Sequence, residues 1–185
     1  MLDSVKTFTK ILSYIIRGGC TIHVFQSTFI EFTETRGESM LPTLNSANDF
    51  VFSDKHYRNG RDLKIGDCIV ALKPTDPDQR VCKRITGMPG DLILIDPSLK
   101  NYYNGNKQEI EFEDSFNKYI RVPKGHVWVT GDNLAHSLDS RSYNSIPLGL
   151  VKGKIIAAND FNKPFWENGV IYGFRKIENN YVDEA

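Results

Sequence analysis

The chain has 185 residues, with 23 Lys and Arg against 23 Asp and Glu, 40% hydrophobic residues and 25% charged ones. That length suits one domain with its own core, or a domain plus an appendage. Zero net charge without a basic stripe excludes the usual kind of nucleic-acid binder, since Lys83-Arg84 is the nearest thing to a basic cluster.

The first element spans residues 11–30, between Lys10 and Glu31. As a helix it would extend about 30 Å, just enough for a bilayer. Arg17, Gly18, Gly19, His23 and Gln26 dilute its apolar character. Ile11, Ile15, Gly18, Ile22, Phe25 and Phe29 share one helical face, and Lys10, Ser13, Arg17, Thr21 and Thr28 another. The pattern predicts a membrane-associated amphipathic helix or a poor transmembrane span, with an ordinary surface helix packed on the domain as the alternative. No small-x-small site follows the apolar run, which argues against a cleaved secretory signal. Residues 1–33 are accordingly assigned to an N-terminal membrane-anchor helix and 34–185 to a separate domain.

Beyond Glu31 come short β-type runs at residues 50–53, 68–72, 81–86, 92–95, 119–122, 127–130 and 154–158. Turn signals separate them, among them Asn59-Gly60, Pro89-Gly90-Asp91, Asn104-Gly105 and Gly131-Asp132-Asn133. Many short strands punctuated this way predict an all-β barrel or sandwich. Residues 85–92 read as a tight turn joining two neighbouring strands, with Gly90 at positive φ. Residues 96–116 are polar and irregular, and the stretch from Asn162, with Trp166 and Phe174, reads as a closing segment. Cys20, Cys68 and Cys82 form no zinc-type spacing. Cys68 and Cys82 read as small buried thiols, with a single bridge as the alternative.

Three islands carry residues suited to chemistry: Arg36 to Thr43, Val81 to Asp91, and Gly131 to Arg141. The first contains Ser39-Met40-Leu41-Pro42-Thr43. The second contains Lys83-Arg84-Ile85-Thr86-Gly87-Met88-Pro89-Gly90-Asp91. The third contains Gly131-Asp132-Asn133 followed by Ser137, Asp139, Ser140 and Arg141. A serine hydroxyl needs a base within hydrogen-bond reach. A lysine of ordinary pKa, about 10.4, is protonated near neutral pH and cannot serve. Burial among apolar neighbours lowers that pKa by up to ~3–5 units. Lys83 suits this role, because strand alternation puts its side chain opposite those of Cys82 and Arg84 in an apolar run.

In this order the three islands resemble the type I signal peptidase family, over residues 34–160. The Arg36-Gly37 lead-in and the lack of a large inserted domain resemble its mitochondrial branch. The resemblance implies Ser39 as nucleophile and Lys83 as general base. It implies Ser137 as a hydroxyl bonded to the lysine amine, and Asp139 with Arg141 as a structural pair. Gly37 and Met40 would contact substrate, Met40 beside a small specificity pocket. Some members place an oxyanion-stabilising serine where this chain has Gly37. Asp132 and Asn133 read as turn formers, with Asp132 also able to fix the loop.

The same resemblance implies a membrane-associated endopeptidase acting on precursor proteins at the mitochondrial inner membrane, facing the intermembrane space. A related peptidase subunit would be its partner, with the apolar stripe as docking surface and a counter-charge there for Arg17. No metal, organic cofactor or nucleic acid is implied. Three competing readings use the same residues less completely. A Ser-His-Asp triad through His136, with Asp132 or Asp139, leaves the Lys83 island unexplained. A self-cleaving repressor needs a helix-turn-helix that residues 1–30 lack. A non-catalytic scaffold has no need of an intact Ser39, Lys83 and Ser137.

Overall fold

A computed structural model describes residues 2–95, 119–160 and 174–181. Helix α1 runs from Leu2 to Thr28, and strand β1 (Ile30–Thr35) follows almost at once. The first strand thus begins before residue 34. Its sequence, Ile-Glu-Phe-Thr-Glu-Thr, has the alternation that suits a strand with two unlike faces. Among the described residues, no helix is long and apolar enough to cross a membrane.

The remaining strands are β2 (Asp49–Asp54), β3 (Cys68–Lys73), β4 (Asp76–Gly87), β5 (Leu92–Leu94), β6 (Tyr119–Arg121), β7 (His126–Thr130), β8 (Ile146–Pro147), β9 (Val151–Asp160) and β10 (Phe174–Lys176). One helical turn, α2 (Ser140–Tyr143), interrupts the β segments. The main sheet has the order β1-β2-β9-β3-β4-β7-β8, with β10 added to β9. Every pairing in it is antiparallel, so β1 and β4 run in the same direction.

The expected all-β architecture behind one helix is what the chain adopts, and each expected strand has a counterpart. The expected neighbour pairing across residues 85–92 is not: β5 pairs with β6 in a separate two-stranded sheet. Gly90 does take positive φ, 98°. Residues 96–116 and most of the stretch from Asn162 lie outside the described residues, although Phe174 packs its ring on Phe52.

β3 is buried on both faces, which accounts for its unbroken apolar run, Cys-Ile-Val-Ala-Leu. Cys68 and Val70 face one core with Met40, Leu44, Val51, Ile155 and Ala158. Ile69 and Ala71 face another with Leu63, Ile85, Val127, Val129 and Ile146. All three cysteines are free, and burial pushes the Cys68 thiol up to about 12.

Candidate active site

Ser39 sits in a 3-10 turn, Glu38–Met40, entered through Gly37. Gly37 has φ 111° and ψ 158°, backbone that a side chain would strain even though open space surrounds the position. Its N–H donates to the Ser46 carbonyl at 2.8 Å, closing the loop. Gly37 therefore offers the oxyanion neither a hydroxyl nor this N–H. Met40 and Leu44 plug the loop into the core, which anchors the chain directly after the serine. Glu38 points into solvent.

Lys83 comes from β4, on the face that also carries Val81 and Ile85. The side chain is 5% exposed, and its Nζ lies 2.7 Å from Ser39 Oγ. Burial lowers its pKa, and the nearby Cys82, Asp139 and Asp132 oppose that shift without reversing it. The amine is thereby moved toward the free base that can accept the serine proton. His136 is exposed, and the Asp139 carboxylate is held elsewhere, so the geometry gives no Ser-His-Asp triad.

The third island braces this pair. Asp139 is fully buried and accepts from Gly131 N at 2.9 Å and from Arg141 Nε and Nη2 at 2.9 and 3.1 Å. Burial raises its pKa, but Arg141, the Ser137 hydroxyl and the backbone N–H groups outweigh it and hold the carboxylate below its ordinary range. Arg141 Nη2 also reaches the Leu134 carbonyl at 2.6 Å, tying the loop to α2.

Ser137 departs from expectation. Its buried Oγ makes no hydrogen bond among the described residues, so the bond to Lys83 is not formed. Gly131 holds Ser137 close to Ser39: a Cβ there would stand 2.3 Å from Ser137 Oγ and 2.4 Å from the Ser39 carbonyl oxygen. That carbonyl also accepts from Asn133 N at 3.0 Å. The third island thus touches Ser39 through backbone, and no side chain larger than hydrogen fits at residue 131.

Sequence reasoning passed over Arg84 and Thr43 and treated Asp132 chiefly as a turn former. Arg84 Nε and Nη2 each lie 2.7 Å from an Asp132 oxygen, a bidentate pair, and Nη1 donates to Gly66 O at 2.7 Å. The Thr43 hydroxyl donates to the same carboxylate. One residue from each island therefore meets in a single buried polar node. Membership of the islands was the available signal; what these residues touch was not visible without the fold.

A cleft of about 130 Å³ opens beside the dyad, lined by residues 35–37, 39–40, 44–45 and 80–83. Gly37 and Met40 both border it. β1 supplies one wall and β4 the other. β4 pairs with β7 only over residues 84–87, so among the described residues no strand pairs with its 76–83 edge on that side.

The signal peptidase, peptidase S26 family matches residues 8–159. Mitochondrial inner membrane protease subunit 1 of Saccharomyces cerevisiae is 57% identical over 184 residues, covering 98% of this chain and 96% of that protein. The Homo sapiens protein of the same name is 37% identical, covering 81% of each. Mitochondrial inner membrane protease subunit 2 of Danio rerio is 34% identical over 122 residues, 64% of this chain and 57% of that one.

Proposed function

The chain belongs to the signal peptidase, peptidase S26 family, and from that premise we propose that Ser39 and Lys83 are its catalytic dyad, clipping sorting presequences from precursors at the mitochondrial inner membrane. The observation that carries this reading is the 2.7 Å contact between Ser39 Oγ and a buried lysine of lowered pKa, at the edge of a cleft with two open strand walls.

The precursor lies extended between β1 and β4 and hydrogen-bonds to their free backbone, as strand addition requires. Lys83 takes the Ser39 proton as Oγ attacks the scissile carbonyl carbon. The tetrahedral intermediate collapses, the C–N bond breaks, and the Lys83 ammonium gives its proton to the leaving amine. Water, deprotonated by the same lysine, then attacks the acyl ester and releases the new carboxylate and Ser39. Ser137 supports the lysine in the substrate-bound site, and Asp139 with Arg141 keeps the loop against it. Gly37 lets the substrate backbone approach, while Met40 shapes the pocket for the residue before the scissile bond.

The inner-membrane setting follows the names of the relatives, with the site on the intermembrane-space side. Similarity to a protein named as subunit 2 supports a related peptidase subunit as partner. The test is to incubate the purified chain with a presequence-containing precursor and map the new terminus by mass. Ser39→Ala and Lys83→Met should each lose at least ~10³ of the rate, while His136→Ala keeps it. Cleavage surviving in Ser39→Ala would sink the dyad, and no cleavage by any folded preparation would favour a scaffold.

A further inference from the structure

Among the described residues, the charged ones lining the cleft are Arg36, Arg80 and Lys83, and no acidic side chain lines it. Arg36 is matched at the surface by Glu34. Arg80 is different. Its guanidinium reaches across from β4 to Glu31 on β1, so one ion pair bridges the two walls. Glu31 is shared: Lys55 Nζ also lies 3.1 Å from its carboxylate and 3.1 Å from the Ser27 carbonyl at the end of α1. Burial raises the Glu31 pKa, but Arg80 and Lys55 together bring it below its ordinary value, so it stays ionised. Two cations on one carboxylate leave this end of the cleft with an excess of positive charge.

The geometry gives that excess a position. β1 and β4 run the same way; Ser39 follows the end of β1, Lys83 lies within β4, and the Glu31–Arg80 bridge stands behind both. Arg80 precedes Lys83 by three residues and Glu31 precedes Thr35 by four. At about 3.3 Å per strand residue the bridge stands roughly 10 Å behind Lys83 along β4 and about 13 Å behind Thr35 along β1. An extended peptide threaded between the walls must pass it there. Arg80 is the exposed member, at 43%, whereas Lys55 at 15% is the enclosed one. A peptide carboxylate can therefore take Arg80 and leave Glu31 with Lys55, so no charge is left unpaired.

We propose that Arg80 is a specificity-determining residue that reads an acidic substrate side chain three or four residues from the scissile bond, with Glu31 as the stand-in it releases. The proposal rests on the reading that this cleft is the peptide groove of Ser39 and Lys83. The test uses the full chain and a cleaved precursor peptide in which Glu, Gln or Lys is placed in turn at every flanking position. Glu should exceed Lys in kcat/KM by about fivefold, the scale of a part-exposed ion pair, at one position three or four residues from the bond. The ratio should shrink as salt rises. It should approach one in Arg80→Gln, persist in Arg80→Lys and invert in Arg80→Glu. A flat profile in the wild type overturns the proposal, as does an unchanged ratio in Arg80→Gln. Ser39→Ala run alongside separates the two levels: cleavage that survives it defeats the dyad reading, whereas a flat but Ser39-dependent profile defeats only the role of Arg80.

Discussion

The surroundings of Ser39 and the length of α1 invert the usual rule of burial in opposite senses. Near the serine, Lys83, Arg84 and Asp139 are 5%, 7% and 0% exposed. Along the helix, Ile15, Ile22 and Phe25 are 65%, 62% and 52% exposed. Buried charge is tolerated where every charge has a partner, and the site meets that condition with Arg84–Asp132 and Arg141–Asp139. Lys83 has only the neutral serine hydroxyl, so burial acts on its protonation instead. Exposed apolar surface of this extent is stable when something outside the domain covers it. One region is complete in itself, and the other is unfinished.

The sharpest test of the first half of that contrast is pH. On the proposed dyad only the free amine of Lys83 acts as base, so kcat/KM should rise with pH, about tenfold per unit below the lysine pKa, and then level off. The midpoint should lie below the ordinary lysine value of 10.5, because burial lowers it. Stability should share the sign. Between the lowered pKa and the ordinary one the unfolded lysine holds a proton that the folded one has lost, so the Lys83 contribution improves as pH rises. A rate profile still climbing at the pH where free lysine titrates would show that burial has not tuned the base.

Next in size is Asp132→Ala. It leaves the Arg84 guanidinium buried without its carboxylate, which should cost about 3–5 kcal/mol in denaturant unfolding. Adding Arg84→Met should recover part of that loss, because the remaining charge is then gone. A loss below about 0.5 kcal/mol, the scale of a surface substitution, would mean the node is as solvated as the helix surface. Smaller again is Gly37→Ala. The added methyl meets nothing, so the expected cost of about 1 kcal/mol comes from φ 111° alone. Equal stability in the two proteins would show that the loop relaxes to another conformation.

These tests also mark how far the sequence could be read. The strands around the site were legible because Val127 to Thr130 or Cys68 to Leu72 form apolar runs between turn residues, and local pattern determines such elements. Ser39 and Lys83 were legible because three islands kept their order. Arg84, Thr43 and Asp132 were not, since the bidentate Arg84–Asp132 pair joins residues 48 apart and the Thr43–Asp132 hydrogen bond joins residues 89 apart. β1 was obscured by a different cause. Ile30 and Phe32 continue the apolar run of the helix, and only pairing with β2, from Ile30 opposite Asp54 to Thr35 opposite Asp49, marks the switch. Ser137 was placed in the right loop, but its hydroxyl does not bond to the lysine.

The smallest effect on stability is expected on the unfinished side, and it tests the contrast from there. The stripe of Ile11, Ile15, Ile22 and Phe25 is exposed, so the described part of the domain does not bury it. Where α1 meets β1 and β2, Ile22 and Phe25 join Ile30, Phe32 and Phe52 around an apolar groove of about 420 Å³. Phe32 stacks on Phe50 at 5.0 Å and Phe52 packs on Phe174, which extends the apolar surface onto the sheet. Ile15→Ser with Ile22→Ser removes side chains that the domain does not bury, so the unfolding free energy should change by less than about 0.5 kcal/mol. Co-sedimentation with phospholipid vesicles should respond far more, because each side chain withdrawn from an apolar environment forfeits roughly 1.5–3 kcal/mol. The pair of measurements separates the possibilities: unchanged stability with lost vesicle binding means that lipid covers the stripe. Lost stability with unchanged binding would mean that the domain itself does, and the two regions would then obey the same rule of burial after all.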